Sequence, residues 1–299
     1  MTETFRSGYV TIVGPPNVGK STLLNRLMGQ KIAIVTPKPQ TTRNRLLGIL
    51  TRPGTQMIFV DTPGIFRPGY PLQKAMVETA VRALGEADLA LVMIDASGRH
   101  GDDEDRILRL LSEGGIVAVL ALNKIDLVRD KKQLLPLIDR YHRTGLFREI
   151  VPVSALTGEG VADLLTVLSD LLPEGPQYYP EDMITESPER FLAAEVIREK
   201  VFLRTGEEIP YSAAVKVDEY KDRGDSLYIK ATVYLERGSQ KAIMIGQKGS
   251  KLKEIGQLAR QELEAQTGRK IFLDLWVKVR RKWRHQTGDL RFFGYDGRR

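Results

Sequence analysis

The chain has 299 residues, of which 42% are hydrophobic and 28% are charged, and it contains no cysteine. This composition is typical of a soluble globular protein, and the length exceeds what one core fills, so we expect two domains. The lack of cysteine excludes disulfides and cysteine-ligated metals, and the three histidines, His100, His142 and His285, lack ligand spacing. Without a bilayer-spanning apolar run or a signal-peptide pattern, the chain is expected in the cytoplasm.

The net charge of +7 is unevenly distributed along the chain. Residues 241–299 carry 15 Lys and Arg against 6 Asp and Glu, whereas residues 180–240 carry 9 against 13. A basic C-terminal region attracts polyanions, either nucleic acid or an anionic membrane surface. A solvated basic face would have the same composition, so charge alone leaves the partner open.

The strongest motif near the start of the chain is a GxxxxGK[ST] loop. It lies between the apolar run 9–13, which predicts a buried strand, and residues 21–28, whose apolar spacing predicts a helix. The loop and the residue after it are Gly14, Pro15, Pro16, Asn17, Val18, Gly19, Lys20, Ser21 and Thr22. In such a loop backbone N–H groups surround phosphates, Lys20 would contact the β and γ phosphates, and Ser21 would bind Mg²⁺. The motif therefore predicts a nucleoside triphosphate.

A long polar loop follows the first helix, over residues 31–45, and contains two prolines that interrupt any periodicity. In a GTP-binding domain this is the position of the first switch loop. A threonine there binds Mg²⁺ through its hydroxyl and the γ phosphate through its N–H. We favour Thr42 for this role, with Thr41 as the alternative.

A second phosphate element comes directly after two short predicted strands, 46–50 and 56–60. Its residues are Asp61, Thr62, Pro63 and Gly64, and we expect these four and Ile65 after them to contact the nucleotide. Asp61 at a strand end can hold Mg²⁺, usually through water, and the N–H of Gly64 can approach the γ phosphate. Tetrapeptides of this kind are common turns, but its position downstream of the phosphate loop favours the functional interpretation.

The residue after Gly64 bears on catalysis. Small GTPases that orient the attacking water with glutamine carry it here, whereas this chain has Ile65. We therefore expect slow intrinsic hydrolysis unless something else assists. The carboxamide of Asn17 could help to seat K⁺ against the phosphates and so supply the charge that an arginine finger gives elsewhere. A loop-stabilising role for Asn17 is equally compatible with the sequence.

The identity of the base is predicted by a third element, Asn123, Lys124, Ile125 and Asp126, after the apolar strand 116–122. Asp126 can accept hydrogen bonds from N1–H and the 2-amino group of guanine, both of which adenine lacks. Such a site would reject ATP by as much as roughly 10⁴-fold. Asn123 and Lys124 would brace the loops and cover the base. Ser154, Ala155 and Leu156 follow the last strand, 150–153, and the Ala155 N–H could meet guanine O6.

Strands and helices alternate through this first part of the chain. Helices are predicted over 72–84, 102–111 and 161–172, with a further strand over 89–94. Ligand elements at strand ends in such a pattern predict an α/β P-loop GTPase domain with a mostly parallel sheet and helices on both faces. Prolines at 173, 176, 180 and 188 then predict a linker.

The remaining chain predicts a smaller α+β domain. The order is helix 190–204, strands 213–217 and 227–235, helix 251–266 and strand 270–279. Between the strands and the last helix lie Ile245, Gly246, Gln247, Lys248 and Gly249, a GxxG loop like that with which KH domains clamp a nucleic acid backbone. Lys248, Lys251 and Lys253 would contact phosphates. The aromatic and basic tail, 278–299, suits either base stacking or packing on the domain.

The chain resembles the Era family of bacterial GTPases, which carry a C-terminal type II KH domain. The matching segments are GPPNVGKSTLLN, QTTR, DTPG, NKID, SAL, PEDMIT, RFLAAEVIREK, IGQKG, LWVKV and FGY. The resemblance places the GTPase domain at 1–173, the linker at 174–189 and the KH domain at 190–299. Ile65 agrees with the family, which lacks the usual glutamine, whereas Pro15 stands where the family often has arginine.

The resemblance also implies a function. It implies GTP hydrolysis with Mg²⁺, binding to the 3′ end of small-subunit ribosomal RNA, a role in maturing the small ribosomal subunit, and some peripheral attachment to the inner membrane. We expect the γ phosphate, through Thr42 and Gly64, to order two loops that alter how the KH domain is presented. We also expect a monomer.

Two other functions remain open from sequence. A membrane-recruited signalling GTPase would lay its basic C-terminal end on anionic lipid, and its GxxG segment would be only a turn. An ATP-dependent kinase would bind ATP and GTP at similar concentrations.

Overall fold

The computed structural model describes residues 5–98 and 101–295, and these residues form two compact units. The first comprises the described residues up to Ala33, then Thr42–Gly69 and Gln73–Glu186. The second comprises Ile34–Thr41, Tyr70–Leu72 and everything described from Ser187 onward. Within the described ranges no helix combines the length and apolar character needed to cross a membrane.

The first unit is built on a six-stranded sheet in the order β2-β3-β1-β4-β5-β6. Its strands and helices are β1 Arg6–Val13, α1 Lys20–Met28, β2 Leu46–Arg52, β3 Thr55–Asp61, α2 Pro71–Gly85, β4 Leu89–Asp95, α3 Asp102–Gly114, β5 Ala118–Asn123, α4 Leu134–His142, β6 Glu149–Pro152 and α5 Val161–Leu171. Every strand pair is parallel except β2 with β3. The predicted loops after β1, β3, β5 and β6 therefore leave one edge of the sheet together.

The strands of this sheet are buried on both faces because helices cover them. All seven residues of β3 and all six of β5 are buried, so these strands are almost continuously apolar instead of alternating. Helix α4 was not predicted. Pro136 interrupts its apolar pattern, and only Leu134 and Tyr141 of its nine residues are buried.

Most of the segment predicted as a linker, residues 174–186, belongs to the first unit, and we call this segment the strap. The fully buried side chain of Gln56 in β3 anchors it. Gln56 Oε1 accepts the N–H groups of Tyr178 and Tyr179 at 2.8 and 2.9 Å, and its amide donates to the Tyr179 carbonyl at 2.9 Å. Further along, the Ile49 N–H of edge strand β2 donates to the Ile184 carbonyl at 2.7 Å. The strap thus covers an edge that would otherwise expose unpaired backbone groups.

The second unit has a three-stranded sheet in the order β7-β8-β9, with β7 antiparallel and β9 parallel to β8. Its elements are α6 Glu189–Arg204, α7 Ile209–Ser212, β7 Ala214–Asp222, β8 Ser226–Leu235, α8 Gly238–Ile245, α9 Ser250–Thr267, β9 Lys270–Val279 and α10 Thr287–Phe293. Alternate strand residues point to one face, where they pack with apolar residues of α6, α8 and α9. Helices α6, α8 and α9 cover this face, and α10 packs against part of the opposite face, at Tyr234.

The aromatic residues of the C-terminal tail form part of the second unit's packing. Trp283 is fully buried, and its indole N–H donates to the Ser212 carbonyl at 2.8 Å. Its ring lies 4.9 Å from that of Phe293 and 5.8 Å from that of Tyr295, measured between centroids. Of the two roles left open by the sequence, packing on the domain is therefore the one these residues have.

Residues 34–41, part of the predicted first switch loop, make their hydrogen bonds within the second unit. The Val35 N–H donates to Glu199 Oε1 at 2.9 Å, and the Lys38 ammonium donates to the carbonyls of Phe202 and Thr205. These carbonyls lie at the C-terminal end of α6, where a helix leaves acceptors unpaired and favours a cation.

Candidate functional site

The phosphate loop connects buried strand β1 to α1 and holds its lysine inside the protein. Lys20 is only 6% exposed, and its ammonium donates to the carbonyls of Gly14 at 3.1 Å and Pro15 at 2.9 Å. Burial lowers the pKa of Lys20 to about 8, although the nearby Asp61 carboxylate partly opposes the shift. An ammonium that is removed from water and hydrogen-bonded only to neutral carbonyls binds an anion such as phosphate strongly.

Three oxygen-bearing side chains meet next to this lysine. Ser21 Oγ donates to Asp61 Oδ2 at 2.6 Å and lies 2.9 Å from Thr42 Oγ1. Asp61 is fully buried; burial raises its pKa to about 6, and its other oxygen, Oδ1, accepts no hydrogen bond from the described residues. Hard oxygen donors around a buried carboxylate fit Mg²⁺. Thr41 is engaged elsewhere, because its hydroxyl donates to the Lys38 carbonyl at 2.7 Å.

The DTPG turn lies against the phosphate loop. A Cβ on Gly64 would lie 2.8 Å from the nitrogen of Pro16, so only glycine fits at this close approach. The next N–H, that of Ile65, donates to the Gly14 carbonyl at 3.1 Å. The Ile65 side chain is fully buried in the hydrophobic core. We included Ile65 among the nucleotide-contacting residues, but its side chain points into the core and its N–H is used within the protein.

Asn17 is exposed and has a left-handed backbone conformation, with φ of +62°. Asparagine tolerates this conformation better than most residues do. The geometry therefore supplies a physical reason for the loop-stabilising interpretation of Asn17. The cation-binding interpretation needs a separate test.

Asn123 ties the phosphate loop to the loop after β6. The side chain is 2% exposed; its amide donates to the Val18 carbonyl at 2.6 Å, and its oxygen accepts the Ala155 N–H at 2.8 Å. The Ala155 N–H, which we predicted to meet guanine O6, thus already has a partner within the protein. Beside it, Ser154 Oγ donates to Oδ1 of the exposed Asp126 at 2.5 Å. This places the two loops that we predict to recognise the base side by side.

The other predicted nucleotide residues support these contacts or face solvent. Thr62 is buried and donates its hydroxyl to the Ile12 carbonyl at 2.8 Å. Ile125 packs in a small apolar cluster, whereas Leu156 is 68% exposed. Gly19 immediately precedes α1, Thr22 is half-buried in its first turn, and Pro63 is buried.

Two residues that position the loops, Asp95 and Arg26, were not predicted from sequence. Lys124 donates to Asp95 Oδ2 at 2.6 Å, and this bond, with those from Ser97, outweighs burial and lowers the pKa of Asp95. Arg26 in α1 donates to the carbonyls of Ala155 at 3.3 Å and of Leu156. The position of a carboxylate at the end of β4 could have identified Asp95 from the sequence. Nothing in the sequence pattern distinguishes Arg26 from a solvent-exposed helix residue.

A second candidate site lies at the GxxG loop of the second unit. The loop joins α8 to α9, and three of its residues have a positive φ: +72° at Gly246, +49° at Lys248 and +80° at Gly249. A Cβ on Gly246 would lie 3.0 Å from the Lys251 nitrogen, so a side chain there would crowd the start of α9. The side chains of Gln247 and Lys248 are exposed, and Ile245 and Lys251 are half-buried.

A cavity of about 570 Å³ runs from this loop along α9 and the edge strand β9. Of the predicted residues, Gly249 and Lys253 line it. Gln257 and Arg260, which follow Lys253 by one and two helical turns, also line it and were not predicted. A groove with an apolar wall and a row of polar or basic groups suits a single nucleic acid strand.

Two family descriptions match the chain, one in its first half and one in its second. Residues 9–124 match the family described as 50S ribosome-binding GTPase, and residues 208–284 match the KH domain. GTPase Era of Syntrophus aciditrophicus is 50% identical over 98% of this chain and 96% of its own length. GTPase Era of Geotalea uraniireducens is 50% identical over 99% of this chain and 100% of its own.

The chain belongs to the Era family of GTPases. As a member of this family it hydrolyses GTP, and it has an N-terminal P-loop GTPase domain followed by a KH domain, which confirms the predicted family, fold and activity. Two solved Era structures superpose on this Era-family chain with a TM-score of 0.94, at 46% identity over 97% of this chain and 99% of theirs. One is a variant of Aquifex aeolicus Era bound to GDP·AlF₄⁻, and the other is Era with MgGDPNP and nucleotides 1506–1542 of 16S ribosomal RNA.

Proposed function

We propose that this Era-family GTPase is a switch that binds the 3′ end of small-subunit ribosomal RNA and assists maturation of the small ribosomal subunit. The proposal rests on one observation: the same chain has a buried lysine, Lys20, in a phosphate loop and a basic groove beside the GxxG loop. The solved Era complex with 16S ribosomal RNA, of the same fold across nearly the whole chain, supports the choice of RNA.

The nucleotide is GTP or GDP, with Asp126 as the base selector. Ser154 holds one oxygen of the Asp126 carboxylate, so the carboxylate is fixed beside the loop that carries Ala155. Asp126→Asn should reverse guanine selectivity in favour of xanthosine nucleotides, whose N1 and C2 positions suit an amide. Exposed Asp170→Asn is the matched control. An unchanged nucleotide profile in Asp126→Asn would contradict the base assignment.

Mg²⁺ would be held by Ser21 and Thr42, with the Asp61 carboxylate acting through water. The ion supplies charge that offsets the phosphate oxygens. Within the described residues no group of three or more His, Cys, Asp or Glu side chains could hold a metal ion. Lys20 and the Gly64 N–H would contact the β and γ phosphates.

We propose that intrinsic hydrolysis is slow because the position of the usual glutamine is taken by buried Ile65. Asn17 and K⁺ would then supply the missing charge. Two substitutions separate this role from loop stabilisation: Asn17→Gly keeps the left-handed backbone but lacks the carboxamide, whereas Asn17→Ala disturbs both. We expect faster turnover in K⁺ than in Na⁺ buffer for the native chain, and no such difference for Asn17→Gly. Equal rates in the two buffers for the native chain would rule out the cation.

The switch would act through Thr42. Thr42 directly follows segment 34–41, which belongs to the second unit, so a γ phosphate bound by Thr42 pulls on a segment anchored to α6. We expect the affinity for ribosomal RNA to differ between the GDP-bound protein and the protein bound to a non-hydrolysable GTP analogue. Equal RNA affinities in the two states would contradict coupling.

The decisive experiment for the RNA partner is a crosslinking map of RNA bound in cells, comparing the native chain with Gly246→Asp/Gly249→Asp. We expect crosslinks at the 3′ end of small-subunit RNA that disappear in the variant, because carboxylates would repel the backbone at the loop. The competing membrane proposal predicts no specific RNA, and binding to anionic vesicles that the variant retains. Crosslinks that persist in the variant would disprove the KH assignment.

A further inference from the structure

Another cavity, of about 290 Å³, lies within the first unit between the sheet, α2 and the strap. A row of three side chains from neighbouring strands lines its floor: Leu47 of β2 pairs in register with Val60 of β3, and Val60 pairs with Thr11 of β1. Ala83 of α2 lines it beside them, and its carbonyl accepts the Thr11 hydroxyl at 2.9 Å. The floor is therefore apolar, and its hydroxyl already has an acceptor.

The strap supplies another wall through Tyr179 and Glu186, and hydrogen bonds fix the backbone at both positions. The Tyr179 N–H is one of the two that Gln56 accepts. Thr185, next to Glu186, donates its hydroxyl to the carbonyl of Leu47, itself a floor residue, at 2.6 Å. The cavity is thus formed by contacts within the protein, and a ligand would not have to order its walls on binding.

Two tyrosines connect to the carboxylate at the rim of the cavity. The hydroxyls of Tyr9 and Tyr179 lie 3.4 Å apart, and the Tyr179 hydroxyl donates to Glu186 Oε2 at 3.1 Å. The hydrogen bond with Tyr9, burial and the nearby Glu186 carboxylate raise the pKa of Tyr179, so its hydroxyl stays protonated and donates. Among the described residues no cationic side chain pairs with Glu186.

The charges that line the cavity favour a cation. Arg45 and Glu86 pair with each other, with 3.1 Å between Nη1 and Oε2, so their charges offset. The Glu186 carboxylate is then the net charge of the lining. The rings of Tyr9 and Tyr179 attract a cation through their faces. An anion would have to displace Glu86 from Arg45 and would still meet Glu186.

We propose that this cavity binds a small aliphatic amine, with its ammonium group on Glu186 and its apolar chain over Leu47, Val60 and Ala83. Ligand pockets usually have volumes of about 300–1,000 Å³, so a cavity of about 290 Å³ admits only a small molecule. None of the lining residues is among those assigned to the nucleotide or to RNA. The site is therefore independent of the proposed switch function.

The test compares three probes that share one alkyl chain and differ in charge: hexylamine, 1-hexanol and hexanoate. Each is titrated into the GDP-saturated full chain, and backbone amide signals are followed by NMR. We expect hexylamine to shift the signals of Leu47, Tyr179 and Glu186, with an affinity in the millimolar range because few atoms make contact. Hexanol should bind roughly tenfold or more weakly, since it lacks the charged hydrogen bond. Hexanoate should not shift these signals.

A substitution of the rim carboxylate separates charge from shape. Glu186→Gln retains an acceptor for the Tyr179 hydroxyl but removes the charge, so it should weaken hexylamine by roughly tenfold or more and change hexanol by less than twofold. The matched control is Glu181→Gln, an exposed carboxylate of the same strap, which should bind hexylamine like the native chain. Hexanol binding as tightly as hexylamine, equal hexylamine affinity in Glu186→Gln and the native chain, or no shifts at the lining residues would each overturn the inference.

Discussion

Asn123 shows how one buried side chain can set the geometry of a nucleotide pocket. Its amide reaches the phosphate loop and its oxygen reaches the base loop, so both loops depend on one residue. We predict that Asn123→Ala lowers the affinities for GDP and GTP equally, by roughly tenfold or more, and lowers the free energy of unfolding by about 2 kcal/mol, because two buried partners lose their bonds.

Fluorescent-nucleotide titration and urea unfolding measure these two effects. Asn123→Asp is the informative companion variant, since its carboxylate still accepts the Ala155 N–H but cannot donate to the Val18 carbonyl. Its loss of affinity should reflect the phosphate loop alone. A change in the ratio of GTP to GDP affinity in Asn123→Ala would show that Asn123 acts on more than loop placement.

The lowered pKa of Lys20 predicts how nucleotide binding depends on pH. Below the pKa of about 8 the free protein carries the ammonium, whereas above it the lysine is neutral and must take up a proton to bind phosphate. Affinity should therefore fall as pH rises, by about tenfold between pH 7 and pH 9. GDP titrations in EDTA, where no metal contributes, measure this. Lys20→Arg stays charged throughout and should bind more weakly with a flat profile; a flat profile for the native chain would contradict the prediction.

The strap is the element whose observed role differs most from its predicted one: the sequence predicts a linker, whereas the structure places residues 174–186 in the first unit. Three of its hydrogen bonds involve buried Gln56, so removal of this side chain takes one partner from each of two N–H groups and a carbonyl of the strap. We predict that Gln56→Ala lowers the free energy of unfolding by about 3 kcal/mol and makes residues 174–186 sensitive to proteolysis. Exposed Gln133→Ala should change stability by less than about 0.5 kcal/mol. Equal stability of the two variants would show that the strap adds nothing.

The elements also show where sequence reasoning succeeds. Buried strands such as β4 and β5 are predictable because their apolar runs end at a polar residue, Asp95 or Asn123, and α9 is predictable from its helical spacing. The strap has no periodicity; hydrogen bonds to β1, β2 and β3 hold it in place, and these are tertiary contacts that a local sequence pattern does not reveal. For the same reason the composition of the tail could not decide between packing and stacking. The short helix α10 is defined by aromatic contacts with β8 and Trp283.

The nucleotide pocket was easier to anticipate than the groove proposed to bind RNA. Phosphate chemistry demands particular residues, so Lys20, Ser21 and Asp61 stand in recognisable spacing. The groove is formed from one face of a helix and the edge of a strand, and many different side chains at these positions could line it. Arg260 and Phe272 therefore needed the structure to bring them together.

At the scale of the whole molecule, charge is concentrated where RNA is proposed to bind. Three lysines, Lys248, Lys251 and Lys253, lie in or just after the GxxG loop. If each neutralises one phosphate, affinity for single-stranded RNA should fall roughly twenty-fold between 50 and 200 mM salt. Filter-binding titrations across this range test the slope. Each Lys→Gln substitution should flatten it by about 0.7 in log–log units, whereas exposed Lys74→Gln, on α2, should leave it unchanged.

The two units are interleaved along the chain, because segment 34–41 finds its partners 164 residues later, at Glu199 and Phe202. A nascent polypeptide emerging at about 5–20 residues per second must wait roughly ten to thirty seconds before α6 is available to that segment. During this interval the growing chain already contains its phosphate loop, but residues 34–41 lack their partners on α6. The anchor of this segment is thus available only after about two-thirds of the chain has been synthesised.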